Sequence, residues 1–149
     1  MALKEMGDVL PKLDASRRPL AIAQMELEAT IAAYRGDRKR SRYLFGKAKD
    51  LEAGLLYTEP PSYPRPVVEA WGAAALMMRD YGSAEKAYRE ALVREPGGGR
   101  AMFGLAAALR GLGRVADAEK TTVEARKAWT RADADLPQMK AAQRADASN

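Results

Sequence analysis

The sequence predicts an all-α protein: about three helical hairpins stacked side by side, with a short helix at either end. Three observations carry that prediction. Residues 65–98 and 99–132 are two copies of one pattern, offset by 34 residues. Trp71-Gly72 becomes Leu105-Ala106, Ala84 recurs as Ala118, Ala91 as Ala125, and Tyr81 is answered by Val115. A period of this length is one supersecondary unit that buries its apolar face only against neighbouring copies. Thirty of the 149 residues are alanine, the best helix former and small enough to let helices approach closely. Few stretches are rich in Val, Ile or Thr, so a sheet is not expected.

The elements follow in order. Leu3, Met6, Leu10 and Leu13 fall at helical spacing and predict an N-terminal helix or cap over 1–15. Ser16 suits an N-cap, and Pro19 is tolerated in the first turn of the next helix. That helix runs to about Arg35, with Ile22, Met25, Ala29 and Ala32 on one face. Gly36-Asp37 is a helix stop followed by a cap. A basic helix follows, about 38–56, burying Leu44, Phe45, Ala48, Leu51 and Leu55, so that 16–58 forms a first hairpin. Residues 59–65 are a Pro-rich connection that cannot be helix interior. Tyr57 and Tyr63 give it apolar surface to pack, and Pro66 sits well at a helix start. Two more hairpins are expected over 66–98 and 99–134, turning at 80–82 and 111–114. The last helix is expected to run on to about 132. From 135 to 149 the chain turns polar and reads as a flexible tail.

These residues resemble the tetratricopeptide repeat (TPR) family. The resemblance implies small residues where the two helices of a repeat cross, and Gly72 faces Ala84 as Ala106 faces Ala118. The bulky slot of the second helix holds Tyr88 in one copy and Thr122 in the other, and the closing proline is Pro96 in one and Thr130 in the other. A divergent third copy lies upstream at an offset of 43, pairing Gly36-Asp37 with Arg79-Asp80, Phe45 with Tyr88 and Ala48 with Ala91. There Ser41 replaces the expected alanine, and Glu28 stands where Trp71 and Leu105 do. The resemblance covers roughly 18–132 and implies a right-handed superhelix. The connection Glu59-Pro60-Pro61 to Tyr63-Pro64-Arg65-Pro66 is similar to the C-terminal repeat regions of bacterial multi-TPR proteins.

Composition narrows the function. The chain has no histidine and no cysteine. That removes the usual zinc sites, thiol catalysis, disulfides and histidine acid–base chemistry. No metal or cofactor is expected, and no enzyme. Gly97-Gly98-Gly99 follows a helix and lacks the Gly-Lys-Ser/Thr of a phosphate loop. No signal-peptide run and no spanning segment is legible, so a cytoplasmic location without membrane insertion is expected. Of the net charge of +5, Arg35 to Lys49 carries +6 (seven Lys or Arg against one Asp), so the remainder sums to −1.

The resemblance implies a non-catalytic protein–protein interaction module, a scaffold that takes a peptide or partner helix in a concave groove. Spacing assigns to that groove Glu26, Thr30 and Tyr34 from the first hairpin, Glu69, Ala73 and Met77 from the second, and Arg100, Phe103, Ala107 and Arg110 from the third. A mixed apolar and charged ligand would suit them, and Phe103→Glu is expected to weaken binding while leaving helical content intact. The family's clamp for chaperone C-termini needs Lys, Arg and Asn, and of Glu26, Thr30, Ala70, Arg100 and Gly104 only Arg100 fits, so chaperone-tail binding is not expected. The rival reading is a polyanion or nucleic-acid binder using Arg38, Lys39, Arg40 and Arg42, with Tyr43 and Phe45 nearby to stack. A further alternative is self-association as a homo-oligomer, since a short solenoid exposes its ends.

Overall fold

The computed structural model describes residues 17–146. Among them are seven α-helices and no strand: α1 (Arg18–Tyr34), α2 (Arg38–Ala53), α3 (Val67–Met77), α4 (Tyr81–Arg94), α5 (Gly99–Gly111), α6 (Val115–Ala128) and α7 (Pro137–Asp146). The expected helix over 1–15 and the Ser16 cap lie outside the described residues. No helix among the described residues is long and apolar enough to cross a membrane.

The first six helices pack in consecutive pairs, α1 with α2, α3 with α4 and α5 with α6. The first helices of the pairs also touch in series, α1 to α3 to α5, and each second helix touches the first helix of the next pair. Three turns close the pairs with one geometry. Gly36, Arg79 and Gly113 all have positive φ, at 75°, 56° and 76°. The next amide then bonds back five residues, Asp37 N to Ala32 O at 2.9 Å, Asp80 N to Ala75 O at 2.8 Å and Arg114 N to Leu109 O at 2.9 Å. This is the Schellman stop, which satisfies helix carbonyls left without partners. The offsets are 43 and 34 residues, those of the sequence copies. Asp37 and Asp80 then cap the following helices by accepting from Arg40 N and Ser83 N, while Arg114 makes no such bond.

Two clusters form most of the core. Ile22, Met25, Leu44, Phe45 and Val67 centre the first, with half-buried Trp71 stacked on Phe45 at 6.3 Å. Val68, Tyr88, Leu105 and Leu109 centre the second, where Ala75, Ala84, Ala108 and Ala118 are fully buried. Each large side chain so buried contributes about 1.5–3 kcal/mol. A small third cluster joins Phe103 and Ala125 to Trp129 and Met139.

Three expectations are corrected. The basic helix ends at Ala53, and Tyr57 is exposed, its hydroxyl donating to Glu59, so only Tyr63 packs the connection inward. The last repeat helix stops at Ala128 instead of running to 132. Trp129 meets Phe103 edge-on at 5.5 Å and lies against Gly99, where a Cβ would overlap it, so the chain turns at that ring. The expected tail instead holds α7, which packs on α5. Pro137 starts α7 with the φ a helix needs, and Ala141 follows among good helix formers.

Candidate functional site

A cleft of about 760 Å³ opens on the face where α3, α5 and α7 meet. From α3 it is lined by Glu69, Ala73 and Leu76, and from α5 by Arg100, Phe103, Gly104, Ala107 and Arg110. Trp129 and residues Leu136, Pro137, Gln138 and Ala141 form the third wall. Arg65 from the connection and Tyr88 from α4 complete it.

Tyr88 reaches the cleft because glycine lets it. Its ring lies against Gly72, where a Cβ would stand 2.7 Å from the ring, and against Gly104, where one would overlap it. Two helices without side chains at those points admit a phenol between them. Burial, and secondarily the Glu69 carboxylate, push its pKa up to about 12 against a smaller opposing pull from Arg65. Tyr88 is therefore a neutral hydroxyl at physiological pH. It has no hydrogen-bond partner among the described residues, so its hydroxyl is a free donor and acceptor in the cleft wall.

Three arginines border the cleft, Arg100 and Arg110 at opposite ends of α5 and Arg65 on the connection. Arg100 Nε stands 3.9 Å from Glu69, a long contact, and its side chain is 60% exposed, which leaves it free to turn. Arg110 donates to Thr122 at 3.2 Å. Arg65 is held by Glu26 at 2.7 Å. Much of the remaining lining is apolar, with Ala73, Leu76, Ala107, Trp129 and Leu136.

Of the residues assigned to a groove by spacing, the cleft unites Glu69, Ala73, Arg100, Phe103, Ala107 and Arg110. It does not include Glu26, Thr30, Tyr34 or Met77. Glu26 accepts from Tyr63 at 2.9 Å and from Arg65, because the Pro-rich connection folds back over α1. Burial and this carboxylate raise the Tyr63 pKa well above its ordinary value. Thr30 donates to the Glu26 carbonyl of its own helix. Tyr34 and Met77 are exposed at helix ends away from the cleft. Phe103 is buried, 8% exposed, so a carboxylate there would disrupt the third cluster, and Phe103→Glu is no clean probe of binding. The exposed alanines Ala73 and Ala107 are better probes.

Sequence reasoning missed Arg65, Tyr88, Trp129 and the α7 wall. The signal for Tyr88 was present: Gly72 and Gly104 are the only glycines inside α3 and between the ends of α5.

The basic helix is partly committed to the fold. Arg38 donates to the Met78 carbonyl at 2.7 Å, and Arg42 holds Asp80 at 2.7 Å. Lys39 and Arg40 are exposed, and Lys47 lies 5.9 Å over Tyr43. No group of three acidic, histidine or cysteine side chains among the described residues is placed to hold a metal ion.

In comparisons with known proteins, no family model, no curated protein and no solved structure matches this chain.

Proposed function

We propose that this chain is a TPR-like right-handed superhelix and a non-catalytic protein-interaction module of the cytoplasm. It takes a peptide or partner helix in the cleft between α3, α5 and α7. The observation that supports this reading is the cleft itself: a largely apolar lining in which Arg100 and the Tyr88 hydroxyl stand open. Such a mixture of a desolvated apolar floor and a few polar anchors is what peptide recognition uses. Ligand apolar side chains would lie over Ala73, Ala107 and Leu76. An acidic group would draw Arg100 away from Glu69.

The test is capture from lysate of the source cell, with and without nuclease, using wild type, Ala107→Glu and the double variant Lys39→Glu/Arg40→Glu as baits. A protein retained by wild type and by the double variant, and lost with Ala107→Glu, supports the cleft. Retention lost with the double variant or on nuclease treatment, and unaffected by Ala107→Glu, moves binding to α2 and sinks the reading.

A further inference from the structure

The face of α1 opposite its buried side is apolar. Ile22, Met25, Ala29, Ala32 and Ala33 point into the fold. On the other side Leu20, Leu27, Ile31 and Tyr34 are 72%, 61%, 41% and 77% exposed, and Ala23 is exposed between them. The stripe is about 21 Å long at 1.5 Å per residue. Single exposed apolar residues are ordinary, but a continuous stripe along one helix marks a contact surface.

The spacing of the stripe is palindromic. About Leu27, the apolar positions fall at −7, −4, +4 and +7: Leu20, Ala23, Ile31 and Tyr34. A pattern that reads the same in both directions fits an antiparallel copy of itself, which is the requirement of a two-fold contact. Its 3.5-residue average interval is that of helices packing side by side.

We infer that α1 is a self-association surface, on which two copies of this chain pair antiparallel about Leu27. Leu27 then meets the partner's Leu27, Leu20 meets the partner's Tyr34, and Ala23 meets the partner's Ile31. A parallel pairing would set Arg17 over Arg17 and Arg35 over Arg35, which disfavours it. One helix face is smaller than a standard interface, so the dimer is weak, with a Kd on the order of tens of micromolar. The cleft lies on α3, α5 and α7, so pairing through α1 leaves both clefts open. The dimer is therefore bivalent, and two linked sites raise avidity without any new contact.

The absence of cysteine makes a clean test available in the full chain. Leu27→Cys should form disulfide-linked dimers under mild oxidation. Leu20→Cys alone and Tyr34→Cys alone should stay monomeric, while a mixture of the two should cross-link. In sedimentation equilibrium, wild type should show a mass rising with concentration. Leu27→Glu, at an exposed position, should abolish that rise with its circular dichroism unchanged. Equal self-linking of all three cysteine variants would overturn the antiparallel register. A monomer throughout that begins to dimerise when residues 1–16 are removed would overturn the proposal in favour of the chain's own Leu3, Met6, Leu10 and Leu13 as occupant.

Discussion

The joint between the first and second hairpins and the joint between the second and third join the same kind of unit in different ways. At the downstream joint, Tyr88 wedges between Gly72 and Gly104, in a cluster with Val68, Leu105 and Leu109. At the upstream joint the corresponding aromatic is Phe45, stacked on Trp71 in a cluster whose small residues are alanines, Ala29, Ala70 and Ala74 among them. The perimeter there is tied by polar contacts: Arg38 to Met78, Arg42 to Asp80, Lys49 to Glu90 and Arg94 to Glu52. Glu52 also accepts from Val67 N, satisfying a donor at the start of α3 from the neighbouring hairpin. The downstream joint also carries an ion pair, Arg114 to Glu85 at 2.8 Å, so the contrast lies in the aromatic: a repeat can seat it between two glycines or stack it on a second ring.

The sharpest way to break the comparison is to add one carbon. Gly104→Ala collides with the Tyr88 ring and should cost about 2–3 kcal/mol in urea unfolding. In a Tyr88→Ala background most of that cost should vanish, since the two changes share one contact. Gly46→Ala in α2, where a Cβ meets nothing within 4 Å, should instead stabilise by about 0.5–1 kcal/mol. Equal costs at the two glycines would erase the distinction.

One residue at each joint, Asp80 upstream and Tyr88 downstream, should respond to opposite ends of the pH scale. Burial pushes the Asp80 carboxyl up, but the Arg42 and Ser83 hydrogen bonds outweigh it and hold its pKa below the ordinary 3.8. A depressed acid stabilises the fold above its unfolded pKa, and that contribution is lost as pH falls from 3.8 through the folded value. Asp80→Ala should cost about 1–2 kcal/mol at neutral pH as a lost cap and ion-pair partner. The gap from wild type should narrow as pH falls below 3.8. Tyr88 runs the other way. Its stabilising contribution is complete below pH 10.0 and declines as pH rises toward about 12, so Tyr88→Phe should unfold less readily in alkali than wild type.

Two smaller changes sharpen the upstream side. Ser41 is fully buried at a helix crossing, and its hydroxyl has no partner among the described residues, so Ser41→Ala should stabilise by about 1 kcal/mol. Arg79 occupies the left-handed turn position that Gly36 and Gly113 fill elsewhere. Arg79→Gly should gain about 0.5 kcal/mol, the relief of strain less the added freedom of the unfolded chain. Thermal unfolding checks both, and a loss of stability in either would contradict this account of the turns and crossings.

Much of the helix order was legible because the repeat signals are local. Gly36-Asp37 and its counterparts are turn chemistry written in adjacent residues, and Ala84 and Ala118 recur at fixed spacing. The cleft was legible by halves. Helical spacing found Glu69, Ala73, Phe103, Ala107 and Arg110, since they share faces of α3 and α5. It could not find Arg65, whose pairing with Glu26 spans 39 residues and depends on how the prolines fold the chain back. The same fold-back removed Glu26 from the cleft. The end of α6 was misread because Trp129 continues the helical pattern in sequence, while its ring is held by Phe103 in the fold. In α7, the few apolar positions did not announce a third wall.

The most direct test of the cleft as the binding face is site-specific photocrosslinking in the same lysate. A benzophenone amino acid would replace Ala73, inside the cleft, or Val93, 82% exposed on α4. The account predicts a discrete protein adduct from position 73 and none from position 93. Equal adducts from both, or an adduct from position 93 alone, would contradict it.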